Sequence, residues 1–390
     1  MYCSFDAAEN RRGTGCIKWD TVEPHVLSVG IADMDFKTAS EIISALEDTV
    51  RKGVFGYSLP NEDLIASILK WYEDTYHGRI KREWLVFLPG IVSALQVASA
   101  LSDGTILTTV PNYALLLAAP EKAGKMLRLS PLKNVNGRYE MDFKELEERV
   151  VSSTDLFLLC NPHNPVGRVY TREELEQLAE FCGKHHLIMV SDEIHCELVF
   201  DHPHTPLIEV NDYAKKYGIM LMSPAKTYNL PGIPFGFAVI PNTALRNSFL
   251  KAGFGLSRPG TLGQVAAAAA YGRARPWKET LIDYLRDNRD YLEGEFKRRF
   301  PKAAVTHAEG TYLIWLDFRE YGIKRPYEWF LEHAAVSFTN GKDFGDAGRV
   351  RMNFGTSRNV LTEVLDRMEQ AISLWQANED DMERRRFYGN

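Results

Sequence analysis

The middle of the chain alternates between short apolar runs and amphipathic stretches. The runs are rich in Leu, Ile and Val without regular polar alternation, which is typical of strands covered on both faces of a parallel sheet. Between them, residues 172–185 predict a helix, because Thr171 and Glu174 have the spacing of a capping box. The pattern therefore predicts an α/β fold with a mostly parallel sheet. The candidate strands are residues 105–110, 155–160, 187–191, 219–222 and 236–240.

The C-terminal third has a different texture. Residues 276–300 predict one long helix, residues 311–317 and 349–354 predict strands, and residues 360–376 predict a closing helix. A chain of 390 residues is too long for one small core. We therefore expect a large domain over residues 46–284 and a smaller α+β domain formed by residues 1–45 and 285–390.

Charge and composition exclude several functional classes. A net charge of -6 argues against a nucleic-acid binder or a protein of anionic membrane surfaces. The longest apolar runs are shorter than the ~20 residues of a membrane helix, and the N-terminus lacks the apolar segment of a secretory signal. Five cysteines without paired spacing indicate a reduced, cytoplasmic chain with no disulfide framework.

Two segments at predicted strand ends could bind polar ligands. In "LPGIVSALQVA", residues 88–98, a helix begins directly after Gly90, so the free N–H groups of Ile91, Val92 and Ser93 form a possible anion site. In "CNPHNPVG", residues 160–167, two prolines hold Asn164 on a rigid loop. The alternatives are a plain helix start and an ordinary Asn-Pro turn.

Asp192 and Lys226 each end an apolar strand, where an isolated charge is costly. Asp192 could be a solvated acid, a metal ligand or the partner of a protonated ring nitrogen. The histidines show no spacing of a ligand set, so no metal site is predicted. Lys226 could reach the surface, but a buried lysine shifts towards the neutral amine that attacks carbonyls and forms Schiff bases.

Together these residues form one chemical set. It comprises a phosphate site, an aromatic ring at Tyr113, an amide at Asn164, an acid at Asp192 and an amine at Lys226. Pyridoxal 5'-phosphate requires such groups for its phosphate, ring face, phenolic oxygen, pyridine nitrogen and aldehyde. The sequence therefore predicts a site for this cofactor.

The chain resembles the fold-type I aminotransferase superfamily, and within it the cystathionine β-lyase group of MalY-, PatB- and cystalysin-like C–S lyases. The resemblance extends almost from end to end. It is carried by "RRGTGCIKWD" (11–20), "IADMDF" (31–36), "GVFGYSLP" (53–60), "NPHNPVGRVYTREEL" (161–175), "SDEIH" (191–195), "SPAKTYNLPG" (223–232), "EGTYLIWLDFR" (309–319) and "RMNFGTSR" (351–358).

The resemblance implies the fold-type I architecture, with a mostly parallel seven-stranded sheet, and a role for each site residue. Lys226 would hold the cofactor as a Schiff base, Asp192 would pair with the pyridine nitrogen, and Tyr113 would stack on the ring. Tyr57 would reach into the neighbouring subunit's site to act on substrate, so a homodimer is expected. The remaining implied contacts are Asn164 and His195 beside the ring, Ile91, Val92 and Ser223 at the phosphate, and Asn164, Arg351 and, as second candidate, Arg358 at the substrate.

The activity implied is α,β-elimination on L-cystathionine or related cysteine S-conjugates, which yields a thiol, pyruvate and ammonia. The alternatives are transamination of an L-amino acid and, from another class, a regulatory partner-binding protein on the same fold. This sequence departs from the group at Ala225, which often is Ser, and after Tyr113, where bulky aromatics are common and residues 114–117 read Ala-Leu-Leu-Leu. The second departure concerns the substrate side chain.

Overall fold

The computed structural model describes residues 5–6, 9–256 and 258–388, with side chains up to residue 377. Its central sheet has seven strands, of which six run in one direction. Only Gly236–Val239 runs antiparallel to both of its neighbours. The predicted α/β fold with a mostly parallel sheet is thereby confirmed. The strand order is Leu85–Leu88, Gly236–Val239, Gly218–Met222, Ile188–Asp192, Thr154–Cys160, Thr105–Val110 and Met126–Pro131.

The sheet is buried on both faces, which explains its apolar runs without alternation. Neighbouring residues of a strand point to opposite faces. Leu156 and Leu158 belong to a hydrophobic core on one face of the sheet, which also contains Leu95. Phe157 and Leu159 belong to a second hydrophobic core, which also contains residues from helices. All four of these strand residues are almost fully buried.

Helices flank this sheet and continue into the C-terminal part. The helix predicted over residues 172–185 spans Arg172–Lys184, and its capping box is present, with Thr171 N–H donating to Glu174 Oε2 over 2.8 Å. The α-helices in the described part of the chain are Ile17–Asp20, Ser40–Arg51, Glu62–Tyr76, Ile91–Ser99, Ala114–Lys122, Phe143–Arg149, Arg172–Lys184, Asp212–Tyr217, Thr243–Ala252, Thr261–Arg273, Arg275–Arg299, Pro326–His333 and Arg358–Tyr388. Short 3-10 turns occur at Arg82–Trp84, Leu207–Glu209, Arg319–Tyr321 and Gly341–Phe344.

A second, antiparallel sheet contains the strands predicted near residues 311–317 and 349–354. Its four strands lie in the order Ala304–Val305, Leu313–Asp317, Arg349–Asn353 and Thr339–Asn340. The N-terminal segment packs beside it, because Leu27–Ser28 pairs in parallel with Val336–Ser337. A small hairpin joins Lys133–Val135 to Arg138–Glu140.

The domain division at residues 45/46 and 284/285 stays a prediction. Both positions lie inside continuous helices, Ser40–Arg51 and Arg275–Arg299. The helix Arg275–Arg299 therefore runs across the predicted boundary as one continuous element. In the described part of the chain, no helix combines the length and apolar character required to cross a membrane.

Candidate active site

A cavity of about 680 Å³ opens where the parallel strands of the central sheet end. Cys160 and Asp192 are the last residues of two of these strands, and Ser223 follows a third. The opposite wall comes from the N-terminal segment, including residues 31–33, and from Arg351 of the antiparallel sheet. The cavity therefore lies between the two sheets, at the edge where open α/β sheets bind ligands.

Most of the predicted site residues line this single cavity. They are Ile91, Val92, Tyr113, Asn164, Asp192, His195, Ser223, Lys226 and Arg351. These residues are spread over the chain from Ile91 to Arg351, and the fold brings them together. Their individual roles towards a cofactor stay predictions.

Lys226 lies on a stiff loop that follows the strand Gly218–Met222. Ser223 Oγ donates to the Phe235 carbonyl over 2.7 Å and accepts from Ala225 N–H over 3.1 Å, which fixes the start of this loop. The lysine Nζ donates to the Ala32 carbonyl over 2.6 Å. Burial, assisted by the charge of Arg351, lowers the pKa of Lys226 to about 8. A substantial fraction of this amine is therefore neutral and nucleophilic near physiological pH.

Asn229 anchors the other end of the lysine loop to the opposite wall. It adopts a left-handed backbone conformation with φ of 53°. Its side chain accepts from Met34 N–H over 3.0 Å and donates to the Met34 and Phe36 carbonyls over 2.9 and 2.8 Å. The wall that holds the Lys226 amine is thus tied directly to the loop that carries this lysine.

Asp192 is buried at the end of its strand, and its Oδ1 accepts from Ile194 N–H over 3.2 Å. In the described part of the chain, no Lys, Arg or His nitrogen lies within 4.0 Å of its carboxylate. Burial raises the pKa of Asp192 to about 7. Such an acid can share a proton with a basic ring nitrogen, because a positive partner would offset its desolvation.

His195 and Tyr113 contribute neutral rings to the cavity. His195 is buried, and its Nδ1 has no hydrogen-bond partner among the described residues. Burial, with the charges of Lys226 and Arg351, lowers the pKa of His195 well below its usual range. Burial also raises the pKa of Tyr113 to about 12, so its phenol stays protonated.

Arg351 is a buried cation whose hydrogen-bond partners are all neutral. It donates to Asn164 Oδ1 and the Gly30 carbonyl, each over 2.9 Å, and to Thr339 Oγ1 over 3.0 Å. Within the described residues its Nε lacks a partner, and no carboxylate lies within 4.0 Å of the guanidinium. Although burial lowers its pKa to about 10, it stays charged at neutral pH. A desolvated, unpaired guanidinium is suited to bind a carboxylate.

The helix Ile91–Ser99 points its N-terminus at the cavity. The first intrahelical bond runs from Ala94 N–H to the Gly90 carbonyl, so the three preceding N–H groups have no acceptor within the described helix. A Cβ added at Gly90 would meet no atom within 4 Å, so the space above this helix start is open. This arrangement can bind a phosphate.

Two charged lining residues, Arg11 and Asp33, were not predicted as site residues. Arg11 donates to both carboxylate oxygens of Asp33, over 2.9 and 2.8 Å, and both side chains line the cavity. They lie 22 positions apart in a region without helical or strand periodicity. The charges inside "RRGTG" and "IADMDF" were the signal that could have indicated them.

Tyr57 and Arg358 do not line the cavity. Arg358 donates its Nε to Asn288 Oδ1 over 2.9 Å and stacks over the Tyr291 ring at 4.2 Å, so its position gives no support to a substrate role. Tyr57 is fully exposed beside a second, surface cavity of about 1300 Å³. That surface cavity shares Pro89, Gly232 and Pro234 with the first one.

Comparison with known proteins identifies the family of the chain. The model of the family described as "Aminotransferase class I and II" matches residues 24–368. Cystathionine beta-lyase PatB of Bacillus subtilis is 33% identical over 95% of this chain and 100% of its own length. The solved structure of OvoB has a TM-score of 0.91 at 37% identity and covers 95% of this chain and 99% of its own. The structure of cystalysin from Treponema denticola has a TM-score of 0.91 at 27% identity and covers 96% of this chain and 99% of its own.

These matches span nearly the whole chain and confirm the resemblance inferred from its motifs. The chain belongs to the aminotransferase class I and II family, and within it to the group that contains PatB and cystalysin.

Proposed function

We propose that this protein is a pyridoxal-phosphate-dependent C–S β-lyase that cleaves L-cystathionine or a related cysteine S-conjugate. The observation that carries the proposal is the convergence, in one cavity, of an amine, a buried acid, a helix N-terminus and an unpaired guanidinium. PatB is named a cystathionine beta-lyase, and the cystalysin structure contains pyridoxal 5'-phosphate. Both support this assignment.

The residues present fit the cofactor. Asp192 would pair with the pyridine nitrogen, Lys226 would bind the aldehyde, and Tyr113 would lie against the ring face. The open helix start at Ile91 and Val92, together with Ser223, would hold the phosphate, with Asn164 and His195 beside the ring. When bound, pyridoxal phosphate supplies an electron sink that stabilises negative charge at the substrate Cα.

Arg351 would bind the α-carboxylate of the substrate through two parallel hydrogen bonds. Asn164 holds the guanidinium in place by accepting from it over 2.9 Å. The charge of Arg351 is also close enough to lower the pKa of Lys226. This proximity supports a geometry in which the anchored substrate presents its Cα to the lysine amine.

Once the substrate amine has displaced it, the freed Lys226 amine would take the proton from the substrate Cα, because its lowered pKa leaves it able to accept one. The electron pair of the broken Cα–H bond forms the Cα–Cβ double bond, and the Cβ–S bond breaks with its pair on sulfur. The thiolate leaves, and one water hydrolyses the resulting enamine to pyruvate and ammonia.

The test is to supply L-cystathionine to the purified, cofactor-loaded protein without any keto acid. We expect pyruvate and a free thiol in equal amounts, both absent with Lys226→Ala. Formation of product only when a keto acid is added would replace the proposal with transamination. If Lys226→Ala abolished turnover but preserved an effect on a protein partner, the fold would also serve regulation.

We also propose a homodimer in which Tyr57 enters the partner's site. An exposed apolar segment supports this, since Val54 is 77%, Phe55 59% and Leu59 66% exposed. Phe55 and Leu59 line the surface cavity beside Tyr57. Light scattering should give twice the monomer mass, and a Phe55→Asp change should reduce the dimer fraction. Only monomer in the unchanged protein would contradict the proposal.

We place the protein in the cytoplasm. The four described cysteines, Cys16, Cys160, Cys182 and Cys196, are free. Free thiols without disulfides support a reducing compartment. Fractionation of the native host should recover the protein with cytoplasmic markers, and recovery with secreted proteins would contradict this placement.

A further inference from the structure

Two charged side chains of the cavity have no role in the proposed elimination. Asp192 and Lys226 serve the cofactor, and Arg351 serves the α-carboxylate. Among the Asp, Glu, Lys and Arg residues that line the described cavity, Arg11 and Asp33 are then left. These two side chains are 27% and 13% exposed, so they lie at a partly open part of the wall.

The segment from Gly30 to Asp33 gives the order of groups along this wall. The Gly30 carbonyl accepts from Arg351, and the Ala32 carbonyl accepts from Lys226. Asp33, the next residue along the chain, accepts from Arg11 through its side chain. The wall therefore passes from the α-carboxylate site, through the reacting atoms, to the ion pair. Three residues reach at most about 10 Å, which is comparable with a cysteine conjugate that has a second amino-acid head group.

Asp33 differs from the neighbouring aspartate that fulfils a structural role. Asp35 is 1% exposed and does not line the cavity. Its carboxylate accepts from Lys18 Nζ over 2.7 Å, from Trp19 Nε1 over 2.9 Å and from Arg11 over 3.1 Å. Asp35 thus anchors the N-terminal segment. Asp33 also lies 4.0 Å from Lys18 Nζ, but unlike Asp35 it lines the cavity.

We propose that Asp33 and Arg11 form a subsite for the distal head group of a zwitterionic cysteine conjugate, a class that includes L-cystathionine. The Asp33 carboxylate accepts from the distal ammonium, and Arg11 donates to the distal carboxylate. Arg11 and Asp33 belong to a cluster with Lys18 and Asp35 that carries two positive and two negative charges. This cluster has no net charge, as the head group has none, and at the cavity it offers both a donor and an acceptor. This inference rests on the proposed lyase function and specifies its substrate class.

The experiment compares kcat/KM for L-cystathionine with kcat/KM for S-ethyl-L-cysteine, which lacks the head group. With Asp33→Asn we expect the ratio of the two values to fall at least about tenfold, mainly through KM for cystathionine, because a charge-assisted hydrogen bond is lost. Arg11→Gln should lower the ratio similarly, and Arg11→Lys should restore part of it. The control is Glu9→Gln, which removes a carboxylate from the exposed Lys37 ion pair in the same segment and should leave the ratio within about twofold.

A purely structural role for the pair predicts a different result, in which kcat/KM falls equally for both substrates and the ratio stays constant. That result would overturn the inference, as would a ratio that is unchanged in both Asp33→Asn and Arg11→Gln. If the unchanged protein cleaves S-ethyl-L-cysteine but not L-cystathionine, the lyase function stands and the subsite is wrong. If it cleaves neither, the proposed function fails and the subsite with it.

Discussion

Arg351 donates to Asn164 Oδ1 over 2.9 Å across 187 positions of sequence, and both side chains are buried. The bond joins the antiparallel C-terminal sheet to the loop that follows a central strand. It links the proposed carboxylate site directly to the proposed cofactor site.

Asn164→Ala should therefore weaken substrate binding. We expect KM to rise about tenfold or more, since a buried hydrogen bond to a charged group is worth roughly 1.5–3 kcal/mol. Steady-state kinetics of pyruvate release measure this effect. Asn134→Ala, on the surface hairpin, is the matched control and should leave KM unchanged. An unaltered KM in Asn164→Ala would show that this bond does not position Arg351.

The pKa of Lys226 sets the pH at which the cofactor-free protein takes up the cofactor. The neutral amine attacks the aldehyde, so the rate should rise with pH and level off above a midpoint of about 8. Stopped-flow absorbance after mixing with pyridoxal phosphate gives this profile. Arg351→Gln removes a positive charge that lowers the lysine pKa, so its midpoint should be higher. A midpoint near the ordinary lysine value of about 10.4 in the unchanged protein would contradict the buried environment.

His307 should stabilise the fold in a pH-dependent manner. Its Nδ1 lies 2.9 Å from a Glu293 oxygen and its Nε2 lies 2.7 Å from Asp201, and these carboxylates raise its pKa to about 9. Because the folded pKa exceeds the unfolded one, this stabilisation is complete below about pH 6.5 and is lost as the pH rises through 9.

His307→Gln should accordingly lower stability by about 1 kcal/mol at pH 6, a value reduced for the half-exposed side chain, and by little at pH 10. Chemical denaturation at both pH values tests this. The exposed His25→Gln should show no such difference. A loss that is equal at pH 6 and pH 10 would indicate that packing, not charge, explains the effect.

Local pattern predicted the centre of the fold better than its edges. The strand Thr105–Val110 was located from its apolar run because both of its faces are buried. Met126–Pro131 is interrupted by Arg128 and Ser130 and is largely exposed, so it produces no continuous apolar run. Leu85–Leu88 is apolar throughout, but it is only four residues long and alternates in burial, so its run is too short to indicate a strand by itself. Nor could the sequence show that Gly236–Val239 runs antiparallel, since a buried strand has the same composition in either direction.

The candidate site shows the same division. Asp192 and Lys226 were identified because each interrupts or ends an apolar run, which is a local signal. Arg351 and Arg358 stand seven positions apart in one motif, and only the strand pairing decides between them. Arg351 lies in the strand opposite Trp315, whereas Arg358 begins the following helix. The Arg11–Asp33 pair depends on long-range folding of a segment without periodicity, so no local pattern indicates it.

The most direct test of the account is to find the lysine that binds the cofactor. The purified protein is loaded with pyridoxal phosphate, reduced with borohydride, digested and mapped by mass spectrometry. We predict one modified peptide, which carries the reduced cofactor on Lys226. Label on a different lysine, or no label on a protein that still releases pyruvate from L-cystathionine, would contradict the central claim.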